Sequence, residues 1–107
     1  MMILALIIVL IFAIICDVFD VTQTEAGLAA GVAVEGNTWL VGTKPTALKL
    51  YFRDTLVLLL CSTPSIVAYI YDNPVFYYAF LISPIVFGIK HILGGLAWDK
   101  LLKAIGK

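Results

Sequence analysis

Six residues with chemistry or small size share one stripe: Asp17, Asp20, Thr24, Gly27, Gly31 and Glu35, at spacings of three, four, three, four and four. At about 100° per residue they fall within roughly 80° of one helix face. Carboxylates on such a face can pair with cations or relay protons, and its small residues let another helix approach closely. Asp17-x-x-Asp20 could also hold a hard cation, but one pair of carboxylates falls short of a defined site. A second group is Arg53, Asp54, Lys90 and His91. These lie at a similar depth in their own segments, so pairing of Asp17 or Asp20 with Lys90 or His91 is one reading. In the other, Lys90 snorkels to the interface and Asp20 already sits among headgroups.

No HExxH, GxSxG, Walker or phosphate-binding glycine pattern is present. The sequence therefore predicts no catalytic residue, no metal site and no identifiable cofactor, and the chain is expected not to be an enzyme. A proton or ion path is a weaker reading, because the other half of the spans offers only the hydroxyls of Ser62, Thr63, Ser65 and Ser83. The single His and two Cys give no zinc spacing and no disulfide framework.

The elements that position these residues follow from hydropathy. Of the 107 residues, 63% are hydrophobic, against about 45–50% in soluble domains, and mean hydropathy is +1.08. The fold class predicted is an all-α integral membrane protein with three transmembrane helices in a single membrane domain over residues 1–107. The first span covers about 3–34. Its purely apolar part, residues 3–16, makes a helix of only about 21 Å, short of the roughly 30 Å hydrocarbon core. The helix must continue through Asp17 and Asp20, and is then long enough to be tilted or interfacially extended. No basic n-region precedes it, so a retained anchor is expected rather than a cleaved signal peptide.

Gly36-Asn37 reads as a stop and Trp39 as an interfacial anchor. Thr43 reads as the next helix cap, with Pro45 in its first turn. The second span is placed at about 55–71 and the third at about 75–98, separated by the turn signal Asp72-Asn73-Pro74. Residues 99–107 form an amphipathic basic tail with Lys100, Lys103 and Lys107. Tyr69, Tyr71, Phe76, Tyr77 and Tyr78 form an aromatic belt at one interface, and Trp98 marks the other. Lys44, Lys49, Arg53 and the basic tail put the N-terminus outside and the C-terminus in the cytoplasm of a prokaryotic inner membrane or a viral membrane.

Two further faces match the first. Asp54, Cys61, Ser65, Ala68 and Asp72 cluster on span two, and Pro84, Gly88, His91 and Gly95 on span three. Pro64 and Pro84 predict kinks. The stripe with Gly27-x-x-x-Gly31 is taken as the helix-packing or partner face. The function read from these features is a non-catalytic accessory or structural subunit that packs against partner helices in a larger membrane assembly. The alternative is a self-assembling pore, whose layout of three spans and a basic tail is similar to the first class of phage holins. Partners are the lipid bilayer and other membrane subunits or further copies; zero net charge gives no pull toward nucleic acid.

The pattern Asp20-x-x-x-Thr24, Gly27, Gly31, Glu35-x-Asn37 and then Lys49 resembles a family of small three-span prokaryotic membrane proteins of unknown function. The resemblance covers the first half of the chain and departs at Thr38, where the family has Pro. It implies a three-span fold and no particular activity.

Overall fold

The structure, a computed structural model, describes residues 2–31 and 45–106. Glu35, Gly36, Asn37, Trp39, Thr43, Lys44 and Lys107 lie outside the described residues. The elements are α1 (Met2–Ala29), α2 (Ala47–Ile70), α3 (Pro74–Phe80) and α4 (Ile82–Ala104). Three segments are long and apolar enough to cross a membrane: Ile3–Ala29, Ala47–Ile70 and Pro74–Ala104. All-α architecture with three such spans is what the hydropathy predicts.

At 28 residues, α1 is about 42 Å long, well beyond the hydrocarbon thickness of roughly 30 Å. Only 17% of its most apolar stretch is buried, against 28% and 33% in the other two spans. The first helix is thus the most peripheral, as a tilted or interfacial span should be. It ends at Ala29, short of Val34, in a turn where Gly31 takes φ +70°. That left-handed geometry suits glycine and closes helices.

The second helix takes in the stretch that precedes the span placed at about 55–71. Residues 47–54 continue straight into the span, and the cap is Thr46, whose side chain accepts from the Lys49 N–H at 3.3 Å. Pro45 precedes this cap instead of occupying the first turn. Pro64 lies inside α2, and nearby Thr63 Oγ1 donates to the Leu59 carbonyl at 2.8 Å. The turn at Asp72-Asn73-Pro74 forms as read. Asp72 has φ 53°, Asn73 accepts from the Phe76 N–H, and Pro74 opens α3.

The third span is divided. Leu81 separates α3 from α4, three residues before Pro84. A proline lacks the N–H for the preceding turn and its ring crowds the carbonyl four residues back, here Phe80, so the break falls there. This turns Tyr77 inward: it is fully buried beside Ala68 and Leu81, with Ala5, Leu6 and Val9 of α1 packed on them. Tyr69, Tyr71 and Tyr78 stay exposed. Ser65 Oγ donates to the Tyr77 carbonyl at 3.2 Å, tying α2 to α3. At the other end α4 runs on through the basic tail, where Lys103 pairs with Asp99 at 2.9 Å.

The principal packing is α1 on α4. The two run parallel, since Phe12 lies over Gly88 and Phe19 over Gly95. Both partners repeat at seven residues, the period of helices that keep one seam in contact. At Gly95 the approach is close enough that a Cβ would lie 2.5 Å from the Phe19 ring and 3.2 Å from Asp20 Cα. Gly27 likewise abuts the Trp98 ring. The buried face of α1 is Ala13, Cys16, Asp17, Val21, Thr24 and Gly27.

Gly95→Leu must therefore separate α1 from α4 and cost about 1–3 kcal/mol or more. Ala97→Leu, on an exposed position of α4, adds similar bulk without penalty. Thermal unfolding in micelles compares the two; equal midpoints would contradict this packing.

Candidate acid–histidine centre

The α1–α4 seam carries the acids of α1 to His91. His91 Nδ1 donates to Asp20 Oδ2, 2.6 Å away, and lies 3.5 Å from Asp17 Oδ1 and 4.0 Å from Asp54 Oδ2. One ring nitrogen thus faces three carboxylates from two other helices. Asp17, Asp54 and His91 are all buried, and one donor atom from each lies within 4.8 Å of the others. Phe87, one turn before His91, packs its ring at 4.3 Å between centroids and covers the imidazole.

The surrounding residues hold these groups in place. Arg53 Nε donates to Asp54 Oδ1 at 3.0 Å, with both side chains at most 7% exposed. Thr24 Oγ1 donates to Asp20 Oδ1 at 3.4 Å. Gly94 leaves room for the Asp20 carboxylate, whose Oδ1 lies 3.0 Å from where a Cβ would be. Lys90 is exposed and forms no direct ion pair among the described residues.

The polar groups of the centre are only partly paired. Among the described residues three buried side-chain atoms accept or donate no hydrogen bond, namely Asp17 Oδ1, Asp54 Oδ2 and Ser62 Oγ. Two of the three face His91 in this cluster. Three carboxylates thus crowd around one guanidinium and one imidazole. A buried carboxylate oxygen without a hydrogen bond or counter-charge costs several kcal/mol.

Cavities adjoin the centre on two sides. One of about 160 Å³ is lined by Asp20, Thr24, Arg53, Lys90, His91, Gly94 and Trp98. Another of about 460 Å³ opens between α2 and α4, with Asp54, Cys61, Ser83, Lys90 and His91 on its wall.

The expectation of a chain without catalytic or metal chemistry is overturned here. Asp17, Asp54 and His91, singled out in the sequence on three separate segments, form a buried group able to coordinate a metal ion. No motif announces it because the donors come from three helices and have no common spacing. The residues of the α1 stripe divide. Asp17, Asp20, Thr24 and Gly27 lie against the chain's own helices, and Gly31 has nothing within 4 Å of a built Cβ. No family model matches the chain, and neither a curated protein nor a solved structure is similar to it. The likeness to the three-span prokaryotic family thus stays one of residue pattern.

Breaking the buried Arg53–Asp54 pair should be expensive. Asp54→Ala leaves a guanidinium without its carboxylate and is expected to cost about 3 kcal/mol or more. Asp99→Ala, at the exposed pair with Lys103, should cost under about 1 kcal/mol. Chemical unfolding in mixed micelles gives both values; a similar small loss in each would show that Asp54 is not a buried partner.

Proposed function

We propose that this protein is a membrane cation-binding protein whose three spans hold a divalent first-row transition ion between Asp17, Asp54 and His91. The observation that carries this reading is the pair of buried carboxylate oxygens, Asp17 Oδ1 and Asp54 Oδ2, that accept no hydrogen bond and face one imidazole. Donors spaced in this way bracket an ion at bond lengths of about 2.0–2.6 Å. Two carboxylates and one imidazole suit Mn²⁺, Fe²⁺ or Zn²⁺ and give no soft sulfur set for Cu⁺. Arg53 then orients Asp54, as an outer-shell partner does. A cation bound at His91 Nδ1 takes the place of the proton now shared with Asp20. Bound there, it would supply Lewis-acid chemistry at a site with cavities beside it.

The wider setting is a membrane assembly. Most of the apolar stretch of each span is not buried within this single chain, a surface that lipid and partner helices would cover. The basic residues Lys49, Lys100 and Lys103 gather at the end of the bundle nearer the centre, which we place on the cytoplasmic side.

The test is calorimetric titration of the purified protein in lipid nanodiscs with Mn²⁺ and with Zn²⁺. Wild type should bind saturably, with Zn²⁺ the tighter. Asp54→Asn and His91→Gln should each weaken binding by at least about tenfold, while Asp99→Asn should leave it unchanged. Absence of saturable binding, or binding that all variants share, would refute the site.

A further inference from the structure

We infer that the groove between α2 and α4 seats a single-chain amphiphile with an oxyanion head, a phosphate or a carboxylate. Its chain lies between the helices and its head meets Lys90 and the centre. This rests on the cation-site reading above and names the class of ligand that the site takes. The groove is a cavity of about 460 Å³, within the range of roughly 300–1,000 Å³ that small-molecule sites occupy. Its lining is graded along its length. Val57, Ile82, Val86 and Phe87 give it an apolar wall, and Asp54, Lys90 and His91 meet at one end. Cys61 and Ser83 stand at the other end, seven residues from Asp54 and Lys90. That is about 10 Å along both helices, well inside the spans. Charge at one end and hydrocarbon along the rest is the pattern of a lipid, with its head at the centre and its chain toward the membrane interior.

The groove opens sideways to the bilayer. Ile82 and Val86 on its wall are 65% and 56% exposed, so a chain enters from the membrane without crossing the bundle. Its charged end lies toward the basic residues Lys49, Lys100 and Lys103, so the groove has the polarity of a lipid in that leaflet. Charge selects the head. Lys90 is exposed on the wall and forms no ion pair among the described residues. Its long stem lies along apolar surface while the ammonium reaches an oxyanion. Asp54 alone would repel such a head. With a cation bound the Asp54 charge is met, and three protein donors leave the ion a position that a phosphate or carboxylate oxygen fills. A cationic head would face both Lys90 and the ion. The smaller cavity also has Lys90 and His91 on its wall, so polar space for a head lies beside the same two residues.

The test uses the full chain in phosphatidylcholine nanodiscs with saturating Mn²⁺. The probe is dodecyl phosphate with a photoreactive diazirine in its chain, and crosslinks are mapped by peptide mass spectrometry. Saturable crosslinks should fall on Val57, Cys61, Ile82 and Val86. Unlabelled dodecyl phosphate and dodecanoate should compete. Dodecanol and dodecyltrimethylammonium, at the same membrane fraction, should compete at least about fivefold less well, and inorganic phosphate should not compete. Lys90→Gln, and omission of Mn²⁺, should each weaken binding by at least about fivefold. Val86→Trp fills the groove and should abolish the crosslinks. Leu60→Trp, at a position 67% exposed and off the groove, should leave them. Both variants should bind Mn²⁺ in the titration as wild type does, which shows that the fold is intact. Competition by dodecanol as strong as by dodecyl phosphate would show an ordinary lipid contact and overturn the proposal. Displacement by inorganic phosphate would overturn the part given to the chain. Selective binding that Mn²⁺ does not strengthen, in protein that binds Mn²⁺ by titration, would overturn the placing of the head at the centre. Absence of Mn²⁺ binding falls on the cation site and appears in the titration; the contrast between dodecyl phosphate and dodecanol then decides the groove by itself.

Discussion

Close parallel contact between α1 and α4 is the constraint on which everything else depends. Phe12 and Phe19 sit over Gly88 and Gly95 at a seven-residue repeat, and that registration places the acids of α1 opposite His91. A side chain at Gly95 would push against the Asp20 backbone. The 2.6 Å contact between Asp20 and His91 therefore depends on a residue with no functional group. The same seam sets the depth of the centre, near the end of the bundle where the basic residues collect.

Burying several ionisable groups in an apolar three-helix bundle is expensive, and the chain offsets only part of that cost. Arg53 holds one oxygen of Asp54, Thr24 and His91 hold Asp20, and Phe87 shields the ring. What is left is concentrated at one place, where two buried carboxylate oxygens that accept no hydrogen bond face the imidazole. On the function proposed above, that unmet polarity is where the cation binds. Replacing the cluster by packed hydrophobes would stabilise the bundle more simply.

Much of the fold was legible in the sequence. The three spans followed from hydropathy, the Asp72-Asn73-Pro74 turn from its residue types, and the stripe on α1 from helical periodicity. Periodicity defines a face but not its neighbour. It could group Asp17, Asp20, Thr24 and Gly27, yet could not say that α4 of the same chain lies opposite them. For the same reason Asp54 and Asp17 could not be read as neighbours, because they sit on separate helices with no spacing rule between them. Pro84 was read as a kink, whereas the span divides at Leu81, because the backbone strain of a proline falls on the preceding turn. Thr43 and Thr46 are equally good caps by type, and Pro45 between them decides for neither.

The cation centre is tested most directly by pulsed electron paramagnetic resonance of Mn²⁺ added to the protein in nanodiscs. Coupling of the ion to one imidazole nitrogen in the wild type, absent in His91→Gln, is the result expected of a centre at Asp17, Asp54 and His91. Bound Mn²⁺ with no nitrogen coupling in the wild type would contradict it.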